Sequence, residues 1–144
     1  MIRKAEIEDA ANIAKCIDSA LDQFQTMPLS QSIFSVDALK RLILDDQIQY
    51  FVLDDAGSTR GVISYKKTAH IHHFFILKSE QNKGIGRKLF DHLINELKES
   101  SQKRVSVNAS LNSIPVYEYF GFIAQGEIEY FKDMGYIKML KKLV

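Results

Sequence analysis

Gln81-Asn82-Lys83-Gly84-Ile85-Gly86 separates a β-like run, residues 71–77, from a helix-like run that begins at the glycines. A strand, a glycine turn and a helix N-terminus together make an anion site. Glycine at 84 and 86 lets a ligand approach the backbone with no Cβ in the way. N–H groups in the first helical turn have no intrahelical acceptor, and the helix dipole favours negative charge there. Lys83, Arg87 and Lys88 add positive charge at the same end. The stretch predicts a phosphate-bearing ligand; the plainer alternative is a tight strand-to-helix turn with no ligand.

Downstream, Ile85, Leu89, Phe90, Leu93, Ile94 and Leu97 form one apolar stripe at helical spacing, with Arg87, Lys88, Asp91, Asn95 and Glu96 elsewhere. Residues 104–109 follow as a strand. Residues 113–120 form a short helix ended by Gly121, a good C-terminal cap. Two further strands, near 123–131 and 136–143, complete the chain. Upstream, residues 2–5 form a short strand. Ala10, Ile13, Ala14, Ile17, Leu21 and Phe24 then give residues 8–24 a helical period, with Asp9 near its start. Residues 25–35, with Pro28, Met27, Leu29 and Phe34, read as a loop, and residues 36–44 as a second helix. The β-like runs 49–53 and 61–65 flank Asp54-Asp55-Ala56-Gly57, a hairpin signal. Residues 69–77 make a longer strand. The order β-α-α-β-β-β-α-β-α-β-β predicts an α/β fold with a mixed sheet.

The 144 residues suit a single domain, 1–144, with a hydrophobic core of its own. A net charge of +1 gives no broad basic surface, so no nucleic-acid partner is expected. A lone cysteine, Cys16, rules out an internal disulfide and a cysteine-based zinc cluster, and its helical setting reads as a small buried hydrophobe. No apolar run approaches the roughly 18–20 residues of a membrane span, and the N-terminus lacks the apolar stretch of a signal peptide. A cytoplasmic protein with no membrane partner is the expectation.

The phosphate ligand can be narrowed. A dinucleotide fold places G-x-G-x-x-G after its first strand, whereas here the third position is Leu89 and the motif sits mid-chain. The nucleotide P-loop pattern is absent. Gln81-x-x-Gly84-x-Gly86 opening an amphipathic helix resembles the acetyl-coenzyme A signature of the GNAT superfamily of N-acetyltransferases. The segment Ile114-Pro115-Val116-Tyr117-Glu118-Tyr119-Phe120-Gly121-Phe122 resembles that family's second landmark, a short helix with Tyr-x-x-x-Gly-Phe. The opening Ile2-Arg3-Lys4-Ala5, followed by Asp9-Ala10, is also similar to the family's start. The likeness covers essentially the whole chain.

The resemblance implies a GNAT-like fold: a mixed, mostly antiparallel twisted sheet of about six to seven strands flanked by about four helices. It implies acetyl-coenzyme A as cofactor and an amine, from a small molecule or a peptide, as acceptor. Phe75 and Ile76 would lie beside the pantetheine arm, and the N–H groups of Asn82, Lys83, Gly84, Ile85, Gly86 and Arg87, behind Gln81, would hold the pyrophosphate. Ser110 stands where the family often has a cofactor-contacting Asn, with Asn108 and Asn112 nearby. The family often forms dimers through its late strands, so a homodimer is a further expectation.

Acetylating an amine poses a proton problem. An alkylamine has a pKa near ~10.4, so exposing its lone pair at pH 7 costs roughly 4–5 kcal/mol. A nearby base helps, and a proton donor assists the departing thiolate. His70, His72 and His73 cluster on one predicted strand, and histidine titrates in the right range. Alternation on a strand places His70 and His72 on one face and His73 on the other. The run Ala69-His70-Ile71-His72, nine residues before Gln81, resembles the paired-histidine strand of the arylalkylamine (serotonin) N-acetyltransferases, where such histidines relay the amine proton. His72 is the first candidate base and His70 the second. Two other readings stand beside this one: polar residues lining a cleft, or a metal site, for which the sequence supplies no third ligand. His73 is expected to be structural, and His92 to lie on a helix surface. Tyr117 is the candidate general acid, with a packed aromatic as its alternative, and Tyr119 should point away from it. Met27 to Phe34 and the His70/His72 face would admit the acceptor, whose small or aromatic character that loop's apolar residues favour. No Ser or Cys has an activating partner in these motifs, so direct transfer without an acyl-enzyme is expected.

Overall fold

The computed structural model describes residues 1–21 and 34–143. Seven strands form one sheet: β1 (Ile2–Lys4), β2 (Ile48–Asp55), β3 (Ser58–Lys66), β4 (His70–Ile76), β5 (Arg104–Ser110), β6 (Ile123–Phe131) and β7 (Met134–Lys142). Their order is β1-β2-β3-β4-β5-β7-β6. Every neighbouring pair is antiparallel except β4 and β5, which run parallel. Among the described residues there are four α-helices: α1 (Ala10–Leu21), α2 (Val36–Leu44), α3 (Ile85–Glu99) and α4 (Ile114–Tyr119). A 3-10 turn over Ile7–Asp9 precedes α1, which therefore starts two residues later than the apolar period suggests. The end of that predicted helix, and most of the predicted loop 25–35, lie outside the described residues.

The sequence pattern explains the layering. Tyr50 and Val52 of β2 face one cluster, whereas Phe51 and Leu53 face another, so the strand is apolar on both sides. Ile13, Cys16 and Ile17 of α1 and Leu39 of α2 cover the first face. Ser35 caps α2, its hydroxyl accepting the Ala38 N–H at 3.1 Å. Ile85, Leu89, Phe90, Leu93 and Leu97 of α3 cover the second face, above Ile63, Ile71, Val105, Val107 and Met139. The hairpin between β2 and β3 turns at Ala56 and Gly57, both left-handed with φ of 53° and 82°. That is the geometry of a type I′ turn.

α3 and β3 approach closely at Gly61. A Cβ there would stand 2.7 Å from Leu89 Cδ1 and 3.0 Å from Ile76 Cδ1. Gly61→Val is therefore expected to lower stability by about 1–3 kcal/mol through overpacking. Chemical denaturation checks this: an unchanged midpoint would show that the two elements have room to separate.

Candidate active site

The parallel pair β4 and β5 is short. His70 pairs with Ser106 and Ile71 with Val107, and there the pairing stops. β4 continues to Ile76 and β5 to Ser110, so the two strands part from His72 onward. The sheet opens at that point, and the edge of β4 facing β5 has no strand partner from His72 to Ile76. This is the place where an extended ligand can lie against main chain inside the sheet.

The far end of β4 leads into the glycine turn. Gly84 is the N-cap of α3 with φ of 84°, and Asn82 is also left-handed at 65°. The Lys88 N–H is the first to close a helical bond, onto the Gly84 carbonyl at 3.1 Å. Among the described residues, no backbone bond of the turn takes the N–H groups of 82–87, and Gly84 has no side chain to cap them. Among the described residues, nothing beyond the adjoining backbone lies within 4 Å of where a Cβ on Gly84 would stand. A diphosphate fits this cradle: donors are free, the space is open and the helix N-terminus is positive.

The flanking charges are arranged around the turn. Glu80 is tied by Arg60 at 2.8 Å and by Lys83 at 3.6 Å. Arg87 sits 3.7 Å from Asp91 and lies over the rings of Tyr119 at 5.2 Å and Phe120 at 5.0 Å. Gln81 donates its side-chain amide to the Ile76 carbonyl at 3.1 Å, bracing the turn against the end of β4. Gly84→Ala is expected to weaken acetyl-coenzyme A binding about tenfold, because a left-handed L-residue costs roughly 1–2 kcal/mol, which the free turn relieves by turning its N–H groups away from the ligand. Titration calorimetry checks this; parental affinity would remove the turn from the cofactor site.

The other wall of the opening carries Tyr117. α4 ends in a Schellman motif: the Phe122 N–H bonds the Tyr117 carbonyl at 2.9 Å and the Gly121 N–H bonds the Glu118 carbonyl at 3.0 Å. Gly121 supplies the left-handed residue this stop requires, with φ of 93°. The same motif brings the rings of Phe122 and Tyr117 together at 5.4 Å, and Phe74 of β4 packs 6.3 Å from Tyr117. Tyr117 is thus buried and oriented toward β4, while Tyr119 points outward as expected. Burial pushes the Tyr117 phenol above its ordinary value. Among the described residues no hydrogen bond to its hydroxyl occurs.

The three histidines do not divide between faces as simple alternation predicts. Ser64 pairs with His73, but Tyr65 pairs with Ile71, so β4 carries one extra residue at His72. This β-bulge resets the alternation. His70 and His73 come to the same side, opposite Ile71, and the His72 ring stacks on His73 at 4.2 Å with 30° between planes. His72 is also the first residue of β4 beyond its last β5 partner. His70 is anchored: its Nδ1 lies 2.8 Å from the Ser106 hydroxyl. His72 is held below the ordinary histidine range by burial and by Lys66; His70 is lowered by burial, Lys66, His72 and Lys138. Both are neutral at pH 7 and able to accept a proton.

Other expected residues fall as follows. The backbone of Phe75 and Ile76 lies along the open edge, but the Phe75 side chain turns to the α1 and α2 face, 5.8 Å from Phe34. Phe34 is the described end of the expected acceptor loop; residues 27–33 lie outside the described residues. Ser110 is engaged with Ser113, hydroxyl to hydroxyl at 3.0 Å, at the start of α4. Asn108 of β5 is exposed on the same strand face as Ser106. His92 is not simply on a helix surface: its ring packs 4.5 Å from Phe51 and its Nε2 is buried, because the α3 stripe is wide enough to include it. Cys16 is buried, which raises its thiol to about 12 and makes it inert at neutral pH. No cluster of three metal-ligating side chains occurs among the described residues. Tyr50, Phe74 and Ser106 escaped the sequence reading. Each acts through a contact with a residue distant in sequence, which no local motif marks.

Comparison with known proteins fits this geometry. The family described as the acetyltransferase (GNAT) domain matches residues 17–143. The chain belongs to the GNAT acetyltransferase family. Acetyl-coenzyme A is the cofactor of this family. Among solved structures, the chain is similar to the PaiA N-acetyltransferase of Thermoplasma acidophilum in complex with coenzyme A. That match has a TM-score of 0.79 and 16% identity over 99% of this chain and 98% of the other. It is similar to a GCN5-related N-acetyltransferase from Rhodopseudomonas palustris, at TM-score 0.82, 16% identity and coverages of 99% and 95%. It is also similar to the ribosomal-protein-S18-alanine N-acetyltransferase of Escherichia coli, at TM-score 0.78, 17% identity and coverages of 99% and 93%. Identities this low establish the GNAT fold and leave the acceptor open. No helix among the described residues is long and apolar enough to cross a membrane.

Proposed function

We propose that this GNAT protein is an acetyl-coenzyme A-dependent N-acetyltransferase that acts on a primary amine of a small molecule or peptide. The observation that carries the reading is the parting of β4 and β5 at His72, with the N–H cradle at one end of the opening and Tyr117 on its wall. The N–H groups of Asn82, Lys83, Gly84, Ile85, Gly86 and Arg87 would hold the pyrophosphate, and the main chain of Phe75 and Ile76 the pantetheine arm. When bound, the thioester supplies an activated acetyl group. His72 accepts the proton that the attacking amine loses as the C–N bond forms. Tyr117 holds a proton for the sulfur as the C–S bond breaks, and solvent restores the tyrosine. His70, fixed by Ser106, lines the acceptor side and is the second candidate base. The local likeness to arylalkylamine N-acetyltransferases rests on His70, His72 and the Tyr117 region, and an aromatic amine belongs in the first acceptor panel.

Thiol release from acetyl-coenzyme A, measured with alkyl, aromatic and peptide amines, tests the reading. Amine-dependent release with a matching acetylated product is expected. Tight binding with no release from any amine would make this a cofactor-binding domain instead.

A further inference from the structure

Beneath His72 lies a buried polar pair that acetyl transfer does not use directly. Tyr50 is 2% exposed and His73 is 8% exposed, and the Tyr50 hydroxyl lies 2.6 Å from His73 Nδ1. The pair, with Ser64 beside it, adjoins the apolar cluster of Ile13, Ile17, Val52 and Val62. Burying a hydroxyl and an imidazole there costs desolvation, which their mutual hydrogen bond only offsets; two apolar rings would fill the same space. The phenol is raised by burial, opposed by a hydrogen bond with Ser64, and keeps its proton. A phenol that donates to Nδ1 leaves the neutral His73 ring its own hydrogen on Nε2. Burial and His72 push His73 down to about 3, so its ring stays neutral throughout the working range.

The pair also fixes the His73 ring in place. Ser64 Oγ accepts the His73 backbone N–H at 3.0 Å. Phe34 meets the ring edge-on at 4.9 Å and Tyr50 at 5.8 Å. The His72 ring then stacks on it at 4.2 Å. His72 is the extra residue of the bulge, so its backbone is less constrained by ladder bonds than its neighbours. The described charged groups that act on this segment are Lys66 on β3 and, toward His70, Lys138 on β7.

We propose that Tyr50 and His73 are positioning residues: they hold a neutral, flat ring against the His72 imidazole and so set its plane where β4 and β5 part. This rests on the reading of His72 as the base. A neutral platform serves where a cationic one would repel the protonated base and a mobile one would let it turn away.

The test compares two apolar replacements of the pair, Tyr50→Phe with His73→Phe and Tyr50→Phe with His73→Leu. Both remove the buried polar atoms, and only the first keeps a flat ring. The Phe/Phe protein, which keeps a flat ring but not the hydrogen bond that fixes it, is expected to lose only about threefold in kcat, with the same acid limb in its pH–rate profile. The Phe/Leu protein is expected to lose about tenfold or more in kcat, as misplaced catalytic groups do. Its acid limb should move up toward ~6.5 as His72 becomes more solvated, with KM for acetyl-coenzyme A unchanged. Equal behaviour of the two proteins would overturn the proposal. Nitrogen-15 NMR of the unmodified protein gives a second reading that needs no variant: His73 should be the Nε2–H tautomer and should not titrate above pH 5. A His73 ring that titrates above pH 5, and so carries charge under His72, would also overturn it. If His72→Ala keeps the parental pH profile, the base assignment itself fails, whatever the two paired variants do.

Discussion

Tyr117→Phe is expected to lower kcat by about 10²-fold or more while leaving acetyl-coenzyme A affinity and stability at parental values. The ring is held by Phe74 and Phe122, and the Schellman stop at Gly121 uses only main chain, so all three survive the change. The lost hydroxyl has no described hydrogen-bond partner, so no buried group is orphaned. What disappears is the proton donor proposed for the departing thiolate. Its raised pKa is compatible with that role. A phenol near ~10 is a poor match for a thiolate near ~8.5 in water, but the burial that raises the phenol also raises a thiolate expelled into the same space. Stopped-flow or steady-state thiol release measures the effect. Parental kcat would leave Tyr117 as a packed aromatic and nothing more.

His72→Ala is expected to cost about 10²–10⁴-fold at pH 7, with the deficit shrinking as pH rises toward the acceptor's own pKa. The sign follows from the lowered pKa of His72. The neutral imidazole is the active form, so parental activity persists to below the ordinary histidine value of ~6.5 and is lost as falling pH protonates the ring. Without His72, only amine that is already deprotonated can react. The rate should then fall close to tenfold per pH unit below ~10.4 for an alkylamine. A pH–rate profile from 5 to 10 with a single amine separates the two proteins. Superimposable profiles would transfer the base role to His70 or to water.

Much of this site is legible in the residues because its motifs are local devices. Gly84 and Gly86 mark the turn, since Gly84 is left-handed and a Cβ on Gly86 would meet Phe74 at 3.7 Å and Ile76 at 3.9 Å. Tyr117-x-x-x-Gly121-Phe122 spells out a helix stop in which the first and last side chains touch, so the motif fixes the tyrosine as well as ending α4. The α3 stripe and the two-sided burial of β2 follow from periods of 3.6 and 2. What stayed hidden depends on partners far away in the chain. At Ile71-His72-His73-Phe74 two polar residues between two apolar ones break strict alternation, but only the pairing with β3 settles that His72 is the extra residue. The Tyr50–His73 bond joins residues 23 apart. The inward lean of His92 depends on Phe51, one strand removed.

The central claim is that acetyl transfer takes place where β4 leaves β5. A crystal structure with coenzyme A tests it most directly. The account predicts the pyrophosphate on the N–H groups of 82–87, the pantetheine arm along the open edge of β4, and the sulfur within hydrogen-bonding reach of the Tyr117 hydroxyl on the His72 side. A sulfur remote from both Tyr117 and His72, or a pyrophosphate bound away from the glycine turn, would contradict it.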